Sequence, residues 1–315
     1  MQQLFDRGLP ILEEMKNGPA AAEAIKRTEV TEKSIEALSI QFAHMRETKG
    51  MAFSSLDALK YLRTETINKK MWKYAVQFSH EKALIGKHFR KATEIIPHRL
   101  QKFAAPVKIV TDIIGLKLME DAVKESDELL NSPIEFDGKD FLTHRQGRFR
   151  GDVAMQKGDY GKALTHFNES ISRFNELKDP ADLMQRANIL EIRGFKTDAL
   201  IHLGEAKDVK EGVSLGLTTY DEYESSPEGK TLKEKDFATW VSWRAGCMCK
   251  LAGALLGTKR LDDLLESDRS QIIKNIQEVY KAGLGTAFFS TRQTELEECW
   301  EQLRHSNPEL GAITD

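Results

Sequence analysis

Several residue groups in this chain have types and spacings that could do chemistry. Cys247 and Cys249 stand close enough to open a soft metal site, but no cluster of His or Cys follows to complete a tetrahedron, so they read as packed thiols. Gly229-Lys230-Thr231 has the order that ends a phosphate-binding loop, where backbone amides and a lysine hold phosphate. Glu224 occupies the place of the required earlier glycine and no strand precedes it. Gly283 and Gly285 make only a fragment of a glycine-rich loop. His88, Glu94 and His98 lack the paired-histidine spacing of a helical zinc site, and Pro97 breaks their face. No serine sits in a nucleophile elbow. Neither enzymatic activity nor a metal or cofactor is expected.

Non-covalent chemistry is better represented. From Lys60 to Lys108 there are 12 Lys and Arg against Glu65, Glu81 and Glu94, while Asp112 to Asp140 holds nine carboxylates and three lysines. Within the basic block, Ile67, Met71, Tyr74, Phe78, Ile85, Phe89, Ala92 and Ile96 recur at helical spacing, which predicts one amphipathic helix over 66–96 that Pro97 ends. Lys69, Lys73, His80, Lys87 and Lys91 form a second stripe turned away from that seam, with Lys70 and Arg90 beside it. A line of cations suits a phosphate backbone, and Trp72 and Tyr61 could stack on bases. It equally suits an acidic protein surface or a plain solvated face. The pI near 6.3 argues against an indiscriminate nucleic-acid binder.

The elements that would position these residues are helical throughout. The clearest is a hairpin. Gly151 marks a close helix contact, Gly158-Asp159-Tyr160 turns the chain, and Ala163, Phe167, Ile171 and Phe174 then follow on one helical face. Ala187, Leu190, Gly194, Phe195, Ala199, Leu203 and Ala206 repeat that order in register, which predicts a second turn at Gly194-Phe195. Across residues 145–210 the pattern resembles the tetratricopeptide repeat, a helical hairpin of about 34 residues. The departures are Gly147 in place of a large apolar residue and Asn175 in place of a closing proline.

The resemblance implies an all-α fold of antiparallel helical hairpins stacked as a superhelix, and a protein or peptide partner in its concave groove. It places Arg145, Arg148, Asp152 and Met155 from one repeat in that groove, with Met184, Asn188 and Glu191 from the next. An arginine can fork onto a carboxylate, and an asparagine amide can pair with an extended backbone. Because about three repeats are needed for stability, diverged neighbours are expected around Ile114-Gly115-Leu118 and from Trp240 to Lys281.

Composition agrees with a large helical core: 315 residues, 40% hydrophobic, 30% charged, and only eight prolines. Asn131-Ser132-Pro133 is the natural boundary between an N-terminal helical domain, 1–131, and a repeat domain, 132–315. Ile134 to Phe141 reads as the loop before the repeats, and Gly212 to Lys235 as a long inserted loop. No stretch approaches the roughly 20 apolar residues that cross a bilayer, and Met1 to Lys16 carries acids instead of a basic and apolar leader. The expectation is a cytoplasmic scaffold or adaptor. Its rivals are a nucleic-acid-associated factor acting through the basic helix and a fixed subunit of a larger assembly.

Overall fold

The apolar seam expected as one long helix is divided between two. In the computed structural model, which describes residues 20–47, 52–91, 104–286, 289–307 and 310–314, α1 covers residues 20–27. It is followed by α2 (Ile35–Glu47), α3 (Ala52–Asn68), α4 (Trp72–Lys91) and α5 (Ala104–Leu130). Ile67 therefore ends one helix and Phe78 and Ile85 lie in the next. Lys70 separates them with a φ of +56°. The amide of Met71 donates to the Thr66 carbonyl at 2.7 Å and that of Lys70 to Ile67 at 3.0 Å, the paired bonds of a left-handed helix cap. Ala92, Ile96 and Pro97 lie outside the described residues.

Grouped by contacts, the chain divides between Phe149 and Arg150. That point falls inside α6 (Lys139–Gln156), whereas the turn at Asn131-Ser132-Pro133 is a loop of the first unit. In this unit α2 packs on α3, α3 on α4, and α4 on α5. Phe42 and Phe78 meet edge to face at 6.0 Å inside a core with Ile35, Leu38, Leu59, Leu62 and Ile85. A Cβ on Gly86 would lie 2.6 Å from the Gly115 carbonyl, so glycine sets the approach of α4 to α5. Ile134 to Phe141 contains no strand. Lys139 holds this loop by donating to the carbonyls of Ser132 and Ile134, each at 2.8 Å.

The second unit continues through α7 (Tyr160–Glu176), α8 (Leu183–Arg186), α9 (Asn188–Leu203) and α10 (Ala206–Ser225). It ends with α11 (Pro227–Lys235), α12 (Phe237–Gly257), α13 (Glu266–Gly283) and α14 (Ser290–Ser306). Every regular element among the described residues is helical, and no described helix is long and apolar enough to cross a membrane. The first turn falls where the sequence places it. Gly158 turns the chain with φ +74°, Asp159 caps α7 by accepting from the Lys162 amide, and a Cβ on Gly151 would collide with the Phe167 ring.

The second turn differs from expectation. Gly194 and Phe195 do not turn the chain; they lie within α9, and Gly194 instead lets α12 approach, with Cys247 Cα 3.4 Å from where a Cβ would be. The turn comes at Gly204, φ +82°. The loop expected over Gly212 to Lys235 is also helical. Gly212 and Gly216 are contacts: a Cβ on the first would lie 2.9 Å from Ile201, and on the second 3.0 Å from Thr197. Pro227 opens α11 behind Ser226, whose hydroxyl accepts from the Gly229 amide at 3.0 Å.

Packing order follows from these contacts. α9 lies against α7, α10 and α12, and α12 against α9, α10, α13 and α14. Tyr220, Tyr223, Trp240, Leu251, Ile272, Ile276 and Trp300 form the centre of the core. Two of its aromatic donors are satisfied: Trp240 donates to the Tyr223 carbonyl at 2.9 Å and Tyr220 to the Asn275 carbonyl at 3.1 Å.

Candidate functional site

The residues expected to line an open groove are mostly inside the protein. Arg145 and Arg148 belong to the first unit and Asp152, Met155, Met184, Asn188 and Glu191 to the second. Arg148, Asp152 and Asn188 are each 3% exposed and Glu191 is 9% exposed. Arg145, Met155 and Met184 are half-buried, Met184 against the second-unit core. Arg148 stacks on its neighbour Phe149, 4.4 Å from guanidinium carbon to ring centre, and Asn188 turns inward to donate to the Gln185 carbonyl at 2.8 Å.

The basic stripe is also redistributed. Lys69 and Lys70 lie in the turn between α3 and α4 and not on a helix face. Lys69 donates to the Val30 carbonyl at 2.6 Å and pairs with Glu29, Lys73 pairs with Asp137 at 3.3 Å, and Lys87 is half-buried. Lys82 and Arg63 both hold Glu125, at 2.7 and 3.2 Å. Arg90 and Lys91 close α4. His80, expected to face solvent, is buried: its ring stacks on Phe149 at 4.0 Å and its Nε2 lies 2.7 Å from Gln146 Oε1. Gln146 in turn donates to Ser126 at 2.8 Å and to Asp127 at 2.6 Å. Burial, helped by the charges of Arg145 and Arg148 against the bond from Gln146, lowers the His80 pKa to about 3. It is a neutral link between α4, α5 and α6.

A polar cluster that spacing did not reveal ties the second unit together. Arg244, 4% exposed on α12, pairs with Glu278 at 2.9 Å and with Glu224 at 3.4 Å. Its guanidinium carbon lies 3.9 Å from the centre of the Tyr220 ring. Lys233 pairs with Glu224 at 2.8 Å and sits over Trp240 at 4.5 Å. Four helices, α10 to α13, thus meet at one charge network. Only the distant position of Glu278 would have hidden it, since Arg244 falls on an otherwise apolar stripe and could have been flagged there.

The chemical motifs resolve as structure. Gly229 is buried in the first turn of α11, where a Cβ would fall on the Tyr223 carbonyl, so Gly229-Lys230-Thr231 is a packed helix start. A Cβ on Gly283 would strike the Phe289 ring, and Gly285 turns with φ +75°. Burial raises the Cys247 thiol to about 12 and lifts Cys249 well above its usual value, both away from thiolate reactivity. No group of side chains suited to a metal ion occurs among the described residues. Glu94 and His98 lie outside them. Compared with known proteins, the chain matches no family model, no curated protein and no solved structure.

Proposed function

We propose that this chain is a cytosolic scaffold or adaptor whose second unit binds a partner protein or peptide along a stack of helical hairpins. The observation that carries this reading is the packing order from α7 to α14. The hairpins α6/α7, α9/α10 and α12/α13 each turn at a residue with positive φ, namely Gly158, Gly204 and Lys259. α9 packs back on α7, and α12 on both α9 and α10. Stacking of this kind supports the resemblance to tetratricopeptide repeats with the second turn moved to Gly204, and it builds long faces suited to extended partners.

On this reading the partner surface falls to the exposed and half-buried residues of α9 and α12, since Arg148, Asp152, Asn188 and Glu191 are buried. Phosphate-backbone binding has less support, because a nucleic acid would compete with the carboxylates and carbonyls that hold Lys69, Lys73 and Lys82. The test is affinity capture of the tagged full chain from its native extract, one half treated with nuclease. A protein retained at constant stoichiometry in both halves is expected; loss of all co-purifying protein with nuclease would overturn the reading.

A further inference from the structure

α13 buries Ile272, Ile276 and Val279 in the core and turns a second face away from it. On that face Arg269, Ser270, Ile273, Lys274 and Gln277 line a cleft of about 270 Å³, whose other wall is formed by Asn307 and Leu310 beyond α14. Glu266, the first residue of α13, borders it as well. Around a helix of 3.6 residues per turn these α13 positions span roughly 140°, with Arg269 at one edge, Lys274 at the other, and Ile273 and Gln277 between.

The cations of this cleft are poorly matched. Arg269 Nε is enclosed and has no hydrogen-bond partner among the described residues. Its Nη1 lies 4.0 Å from Glu266 and its Nη2 3.8 Å from Asp262, beyond hydrogen-bond reach, and those carboxylates are 81% and 85% exposed. Exposed pairs of this length contribute little. Lys274 is exposed and makes no ion pair or hydrogen bond among the described residues. A buried donor left unmatched in a native fold calls for a water, an ion or a ligand. The facing wall is fixed in advance: Asn307 donates to the Leu303 carbonyl at 3.0 Å, the Leu310 amide to the Asn307 carbonyl at 3.1 Å, and Arg304 to the Leu310 carbonyl at 3.3 Å. Ile273 and Leu310 pack on the core and give the cleft an apolar surface.

We propose that this cleft binds a small organic carboxylate, its charge held by Arg269 and Lys274 and its apolar body lying on Ile273 and Leu310. The volume falls below the roughly 300 Å³ at which ordinary ligand pockets begin, which selects a small molecule over a folded partner. Arg269 and Lys274 against Glu266 leave the lining net positive, so an anion is attracted and its charge-assisted bonds are strong. An inorganic oxyanion would leave Ile273 and Leu310 uncovered, which favours an organic acid. The amides of Gln277 and Asn307 supply further donors and acceptors at the same wall. The site does not depend on the partner-binding reading.

The experiment titrates the full chain with sodium hexanoate at ionic strength fixed with sodium chloride, reading heat of binding, and repeats the titration with 1-hexanol and with sodium phosphate. Saturable binding of hexanoate at one site is expected, weakened about tenfold in Lys274→Gln by loss of a charged hydrogen bond. Lys274 supports no contact of the fold, so the unfolding temperature of that variant without ligand stays at the wild-type value and the weakening belongs to the ligand. Arg269→Gln should weaken binding likewise, and Lys274→Gln remains decisive if that variant unfolds. Hexanol tests the charge and phosphate the apolar surface, and both are expected to bind more weakly than hexanoate. Absence of saturable hexanoate binding, equal binding by Lys274→Gln, or binding of hexanol or phosphate as tight as that of hexanoate overturns the proposal.

Discussion

Lys70 and Lys259 each have φ +56°, a backbone conformation that a side chain makes unfavourable and glycine adopts freely. Both close helices with the same paired bonds; at Lys259 the Arg260 amide donates to Leu255 at 2.9 Å and the Lys259 amide to Leu256 at 3.2 Å. Lys70→Gly should therefore stabilise the protein by about 1 kcal/mol, read as a higher unfolding midpoint in urea with unchanged slope. Equal or lower stability would show that the Lys70 side chain contributes more than its backbone strain costs. His80 acts through protonation. Its pKa falls from 6.5 to about 3 on folding, so the native state binds fewer protons, and the stability it supports is present above pH 6.5 and lost as pH falls towards 3. His80→Phe should flatten unfolding free energy against pH across that window, as measured by urea titration at successive pH values. An unchanged slope would place the acid sensitivity elsewhere. At this scale the sequence was least legible. Lys70 has no glycine to announce a cap, and His80 shares the register of Lys73 and Lys87, so its burial against Gln146 and Phe149 depends on residues far along the chain.

Glycines in the helices mark where elements touch. On α10, a Cβ at Gly212 would lie 2.9 Å from Ile201 and 3.2 Å from the Thr197 carbonyl, and backbone cannot yield as a side-chain end can. Gly212→Ala should cost roughly 1 to 3 kcal/mol by forcing α10 away from α9. Gly161 is the control: it lies in α7 with nothing within 4 Å of a Cβ, so Gly161→Ala should stabilise by up to about 1 kcal/mol. The two thermal midpoints must move in opposite directions; a shared sign would refute the close contact. This same glycine explains why α10 and α11 were not legible in sequence. Gly, Ser, Thr and charge over Gly212 to Lys235 signal a loop locally, yet Val209, Val213, Thr219, Tyr220 and Tyr223 share a buried face. The turn between α6 and α7 was legible because Gly158 turns the chain and Asp159 caps α7. The second turn was misplaced because Gly194 and Gly204 are chemically alike, and only packing against Cys247 separates their roles.

For the molecule as a whole, the helical class followed from spacing alone, whereas the burial of its polar side chains did not. Arg148, Asp152, Asn188 and Glu191 are polar residues on first helices of a repeat-like pattern, and spacing could not tell an inward polar side chain from an outward one. The buried Arg244 network bears on the whole second unit, since it joins α10, α11, α12 and α13. Arg244→Ala should lower stability by roughly 2 to 3 kcal/mol, the worth of charge-assisted bonds lost from a buried site, with Glu224 and Glu278 rehydrating. Arg244→Met, which restores apolar volume, should recover part of the loss in chemical unfolding. The central claim, a partner seated along the stacked hairpins, is tested most directly by cross-linking mass spectrometry on the nuclease-treated complex of the full chain. The account predicts partner cross-links at Lys196 on α9 and Lys250 on α12. Cross-links confined to Lys69, Lys73 and Lys82 around α4, with none in the second unit, would contradict it.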